Sequence, residues 1–241
     1  MDLQNEKALQ SQPATAANKP AVTPTTNNDY EDMPNYFKNR RVALVNASDA
    51  EIEAALTAIG YPPAIIASKL QELKKVEDLD VDQQKEYGEQ YAATDSFDKL
   101  ANSLHPSYLK QVKIGKLLFA DNKAALNTLG LKGKRKRAEA AYCDQALLFY
   151  NGGLNDANYK AALKLKGISE DDLKNGQAGF TNLKDLIPKK IKETGEAQEA
   201  TAIRDEAIEI FDEWFDEFKK YAIIALSDKP QAREKLGWLE R

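Results

Sequence analysis

Apolar residues fall at Ile66, Leu70, Leu73, Val76 and Leu79, three or four positions apart, with mostly polar residues between them. That spacing draws one apolar stripe down a helix. A turn is expected next at DLDVD (residues 78–82). A longer helix then runs from about Asp82 toward Ala120, with Phe97, Leu100, Leu104, Tyr108, Val112, Leu118 and Phe119 as its buried face. Pro106 has no amide proton and predicts a kink or break near His105. Before the stripe, Ser48 and Glu51 form a capping-box signature, and a short helix over 49–58 ends at Gly60. Pro62 and Pro63 suit the first turn of the helix that follows. Asp121 is expected to cap a last short helix that stops at Leu129-Gly130. Residues 34–46 fit either a strand or a helix. With no partner strand in sight, helix or irregular structure is favoured.

The same pattern returns 107 residues later. EYGEQYAAT (Glu86–Thr94) is echoed by ETGEAQEAT (Glu193–Thr201), and the offset holds without a gap from about Asp49–Leu131 to Asp156–Trp238. Gly60 meets Gly167, Asp49 meets Asp156, Leu79 meets Leu186, Asp121 meets Asp228 and Gly130 meets Gly237. In the second copy Asn155 or Asp156 caps a short helix to Leu165, and Ser169 with Asp172 caps the next. Pro188 marks the turn. Ala207, Phe211, Trp214, Phe218, Tyr221 and Ala225 stripe the long helix at spacings of four, three, four, three and four.

Each copy therefore reads as a short helix, a long helical hairpin and a short closing helix. One hairpin cannot bury a broad apolar face alone. Two copies packed together predict an all-α, elongated bundle with a four-helix core and pseudo-twofold symmetry, like a homodimer in one chain. A long helix of about 38 residues would span about 57 Å. Residues 34–131 form the first repeat, 132–153 a basic connector and helix ended by Asn151-Gly152-Gly153, and 154–241 the second repeat, all packed as one domain. Residues 1–33, rich in Ala, Thr, Pro, Asn and Gln, read as a disordered tail, either a plain tether or a docking peptide.

Charge and composition narrow the chemistry. The chain is 42% hydrophobic and 30% charged, with a mean hydropathy of −0.59 and a net charge of −4. Cys143 is the only cysteine, which points to a reducing compartment. No apolar run reaches membrane-spanning length, and MDLQNEKALQSQ lacks the pattern of a secretory signal, so a cytoplasmic protein is expected. His105 is the only histidine. It stands alone, which excludes Glu-x-x-His metal pairs and leaves few nucleophilic triads. No Gly-rich phosphate loop and no haem-attachment motif occurs. No catalytic residue, cofactor or metal is expected.

Three features remain. Glu86, Glu89, Glu193 and Glu196 would form an acidic cluster if the copies meet. Gly88 and Gly195 would let the helices approach closely near their starts, with the glutamates favouring the helix N-termini. Lys132, Lys134, Arg135, Lys136 and Arg137 form a basic run that can contact phosphates, yet Glu193–Glu217 holds ten acidic residues against one arginine. Antiparallel packing could lay one charge block on the other, within a molecule or between neighbours. Trp214 and Phe218 replace Ser107 and Gln111 of the first copy. They either fill the core beside the Pro106 kink or form a partly exposed aromatic patch for a partner.

The segments GEAQEATAIRDEAIEIFDEW, IIALSDKPQAREKLG and AALNTLGLKGKRKR resemble a widespread bacterial family of uncharacterised helical proteins. The patterns concerned are E-x-Q-x-A-T-x-x-R-D, A-L-x-D-x-P-Q and L-G-L-x-G-x-R-x-R, and the resemblance covers roughly Glu51–Gly237. It implies the fold and the duplication and carries no activity. The expectation is a non-enzymatic structural or protein-interaction protein, with a protein partner or self-association, a place in a larger assembly and no membrane insertion. The alternatives are a nucleic-acid-associated protein that uses the basic connector and a small-ligand-binding bundle.

Overall fold

A computed structural model describes residues 32–238, and among these there are eight helices and no strand. They are α1 (Met33–Asn46), α2 (Ala50–Ala58), α3 (Pro63–Leu118), α4 (Lys123–Thr128), α5 (Glu139–Asn155), α6 (Ala157–Leu165), α7 (Glu170–Ala225) and α8 (Pro230–Lys235). The all-α bundle expected from the sequence is the fold. The predicted tail lies outside the described residues as far as Glu31, and Met33 already belongs to α1, whose N-cap Asp32 accepts the Asn35 N–H. Residues 34–46 are helix.

Local chemistry sets the boundaries. Gly60 and Gly167 take φ of +94° and +80°, the left-handed conformation that stops α2 and α6. Pro63 opens α3, where its missing N–H costs nothing. Ser169 opens α7 with a complete capping box: its hydroxyl accepts the Asp172 N–H at 3.0 Å, and the Asp172 carboxylate accepts the Ser169 N–H at 2.8 Å. Elsewhere the caps differ from expectation by one residue. Asp49, not Ser48, caps α2, and Asn122, not Asp121, caps α4. α8 has no side-chain cap at all. Gly152 and Gly153 do not end α5. They lie inside it, where a Cβ at Gly152 would stand 2.8 Å from Leu129 Cδ2.

The hairpins are absent. α3 and α7 each run unbroken for 56 residues, so each spans about 84 Å at 1.5 Å per residue. The DLDVD stretch contains no Gly or Pro, and Asp in a helix interior is only mildly unfavourable. Its acids are also partnered within the helix, Asp78 by Lys74 and Asp80 by Gln84. Pro106 and Pro188 also sit inside their helices. Both are exposed, so water can satisfy the carbonyls that each proline leaves without an amide.

The four-helix core of two hairpins is thus replaced by two long antiparallel helices with a hydrophobic cluster at each end. Lobe one joins α1, α2, the first part of α3, the last part of α7 and α8, around Leu44, Ile52, Leu56, Leu73, Phe211 and Phe218. Lobe two joins α5, α6, the first part of α7, the last part of α3 and α4, around Tyr108, Phe149, Tyr150, Leu163, Leu173 and Phe180. The bounds of α2, α3 and α4 recur in α6, α7 and α8 at an offset of 107. Each copy closes the lobe that the other copy opens, so both cores need the whole chain.

Candidate functional site

Between the lobes α3 and α7 cross a narrow waist where only Ala93, Ala197, Asp80 and Glu193 are buried outside the two clusters. Cross-helix bonds give the register. Arg204 Nη1 lies 3.5 Å from Asp80 Oδ1, and Gln83 Nε2 donates to Thr201 Oγ1 at 3.4 Å. Gln84 Nε2 donates to the other Asp80 oxygen at 2.8 Å. Asp80 is thereby satisfied from both helices.

The waist also gathers the echoed glutamates. One carboxylate oxygen from each of Glu86, Glu193 and Glu196 lies within 4.8 Å of the others, while Glu89 stays exposed beside Lys85 at 3.2 Å. Lys85 also lies 3.2 Å from Glu86, and Lys192 lies 2.7 Å from Glu196. These glutamate hydrogen bonds raise both lysine pKa values. The sequence assigned a different reason to this stretch. Gly88 and Gly195 are exposed and sit in mid-helix, and a Cβ on either would meet nothing within 4 Å. Close approach does not require them, and no helix N-terminus is near the glutamates.

The basic run lies at the far end of lobe two, in the coil between α4 and α5. Lys136 donates its N–H to Gln145 Oε1 at 3.0 Å, Gln145 Nε2 donates to Gly130 O at 3.1 Å, and Lys116 Nζ donates to Gly133 O at 3.1 Å. The loop is held by its backbone, which leaves its cationic heads to solvent. Lys132, Lys134, Lys136 and Arg137 are exposed, and Arg135 is half-buried. Ten acids of α7 lie toward the waist and lobe one, so the basic loop is not packed against the acidic run of its own chain. Arg135 lowers the His105 pKa together with burial, the larger cause. His105 Nδ1 is 2.7 Å from the Tyr142 hydroxyl. Burial pushes Tyr108 up to about 12 and Cys143 up to about 11.

The charges are segregated along the molecule. Residues 99–192, which build lobe two and its edge of the waist, carry 18 Lys and Arg against eight Asp and Glu; the other described residues carry 13 against 25. This was hidden in the sequence because the positive block is contiguous in the chain while the negative block is split between 77–98 and 193–206. Antiparallel packing unites its halves.

Phe218 is not part of a surface patch. It is fully buried, stacked on Trp214 at 5.2 Å and edge-on to Tyr61 at 5.2 Å. Trp214 is half-buried, with Lys69 Nζ 5.1 Å above its ring. Beside this cluster Arg40, Phe215, Lys219 and Trp238 help to line a pocket of about 220 Å³, below the usual size of a small-molecule site. Arg40 Nε is held by Asp212 at 2.9 Å. No described helix is long and apolar enough to cross a membrane. No family model matches the chain, and neither the curated proteins nor the solved structures contain a match to it.

Proposed function

We propose that the chain is a non-enzymatic interaction protein, a charge-segregated helical rod that binds protein surfaces through its cationic end and associates with further copies. The segregation of charge carries this reading: the lobe-two end has a large excess of Lys and Arg, the middle of the rod (residues 77–98 and 193–206) carries 13 Asp and Glu against two Lys and Arg, and lobe one is nearly balanced at 12 against 11. Such an arrangement favours heterologous contacts, in which the cationic end of one rod meets the acidic middle of the next. The cationic end also presents an exposed apolar residue, Leu117, in the last turn of its long helix. Light scattering during size exclusion tests it. Species larger than the 26.8 kDa monomer are expected at about 0.1 M salt and their loss at about 1 M, as the Debye length falls from about 10 Å to about 3 Å. Replacing Lys132, Lys134, Lys136 and Arg137 by Gln should shift low-salt material to monomer. A strictly monomeric protein at low salt with no bound partner defeats the reading.

The exposed cations of the loop favour a second reading, contact with nucleic-acid phosphates. It predicts a mobility shift of DNA or RNA at low salt that the same four substitutions abolish. No shift ends it.

A further inference from the structure

The geometry of the three waist carboxylates is unusual for a surface cluster. The offset of 107 makes Glu86 and Glu193 counterparts, and the antiparallel crossing brings them face to face with Glu196 one turn away on α7. Like charges this close repel, yet one of them is withdrawn from water. Glu193 is only 6% exposed, and its Oε2 is buried with no hydrogen-bond partner. A buried carboxylate oxygen without a donor is costly. The nearby ammonium groups do not resolve it. Lys192 lies 3.7 Å from the other oxygen, Oε1, and 2.7 Å from Glu196, while Lys85 serves Glu86 and Glu89. Both lysine side chains are about two-thirds exposed, at 65% and 63%, and can turn into solvent. Four glutamates and two lysines leave this cluster with a charge of −2.

From this geometry we infer that Glu86, Glu193 and Glu196 form a site for a divalent cation of calcium's size on the pseudo-twofold axis. An all-oxygen donor set suits Ca²⁺, Mg²⁺ or Mn²⁺ rather than zinc or copper. Ca²⁺–oxygen bonds of about 2.3–2.6 Å place opposite ligands about 4.8 Å apart, whereas Mg²⁺ needs bonds of about 2.1 Å and near-ideal octahedral geometry. The three oxygens lie within 4.8 Å of one another, close enough for one calcium ion to touch all three, and three carboxylates from two helices suit calcium's flexible coordination better than a strict octahedron. Glu86 and Glu196 are half-buried, so their side of the site is open to an ion and to the waters that complete its coordination. The bound ion would tie α3 to α7 where neither hydrophobic cluster reaches.

Calorimetric titration of the full chain with CaCl₂ and, separately, MgCl₂, paired with thermal melts, tests the site. One Ca²⁺ per chain, a higher melting temperature with CaCl₂ and weaker binding of Mg²⁺ are expected. Glu193→Gln and Glu196→Gln should each weaken Ca²⁺ binding about tenfold or more, since affinity follows ligand charge, and Glu89→Gln should leave it unchanged. Without calcium, Glu193→Gln should melt no lower than the parent, because the repulsion is relieved, which also shows that this variant is folded. No heat with CaCl₂, or undiminished Ca²⁺ binding by a folded Glu193→Gln variant, overturns the site. Mg²⁺ bound as tightly as Ca²⁺ overturns the assignment to calcium's size.

Discussion

The two lobes share one helix arrangement and fill it differently. In lobe one much of the bulk comes from the end of α7, where Phe211 stacks on Phe215 and Trp214 on Phe218, and among the buried α1 residues is the small Ala43. In lobe two the positions of Trp214 and Phe218 are Ser107 and Gln111, and the position of Ala43 is Tyr150. At these positions the volume has moved from the long helix to the shorter one. Tyr150 then needs room on α7, and Gly176 supplies it: a Cβ there would fall 2.1 Å from the tyrosine ring. The counterpart of Gly176 is Lys69, which in lobe one lays its stem beside Trp214. Core volume is thus conserved within a lobe rather than position by position, as expected where close packing matters more than side-chain identity.

The largest test of this comparison removes one ring from each lobe. Phe180→Ala and Phe218→Ala, both fully buried, should each lose about 3–5 kcal/mol. Because α3 and α7 pass through both lobes, each variant should show one cooperative denaturant transition. Two separate transitions would show that the lobes fold independently. Next is Gly176→Ala, expected to cost about 1–3 kcal/mol by overpacking against Tyr150. The waist glycines should respond in the opposite direction. Gly88→Ala and Gly195→Ala meet open space, so each should gain about 0.5–1 kcal/mol from helix propensity, read as a higher denaturation midpoint with the slope unchanged.

The smallest effect is confined to lobe two. Burial, then the Arg135 charge, lowers the His105 pKa below 6.5. The native state therefore binds fewer protons at this site than the unfolded state as pH falls past 6.5. The stabilisation is complete above that value and is lost as pH drops toward the lower native pKa. His105→Gln should flatten this part of the stability profile. Since His105 is the only histidine, one imidazole NMR titration reports the native value directly, and a midpoint at or above 6.5 would contradict the burial argument.

Much of this fold was legible in the residues. The stripes marked the helices, and the paired Gly stops at 60 and 167 and the Ser169 box marked real boundaries. What misled was punctuation read without its tertiary setting. Two aspartates in DLDVD, besides the exposed Asp82, looked like a turn, but the partners of Asp78 and Asp80 sit a helical turn away or across the waist. Pro106 and Pro188 looked like breaks, but each lies on an exposed face where the helix continues. The correspondence of α1 with α5 could not be seen, because the facing pairs Tyr36/Cys143 and Ala43/Tyr150 share a buried location and no chemistry. The glutamate echo was visible as a pattern. The burial of Glu193 depends on a helix crossing that only the folded chain provides.

The connection of residues 131–138, which carries the chain from α4 into α5, has a geometric twin that the chain never makes. α8 and α1 meet in lobe one as α4 and α5 meet in lobe two, with Met33 and Trp238 both packed on the lobe-one cluster. The backbone of the described residues is therefore a ring opened once, in lobe one. Joining residue 238 to residue 32 and reopening the ring within 131–138 would produce a circular permutant with every core contact retained and both ends relocated to the cationic pole. The described residues begin and end in lobe one, so a partner fused directly at residue 32 or residue 238 would leave from that end, away from the cationic pole.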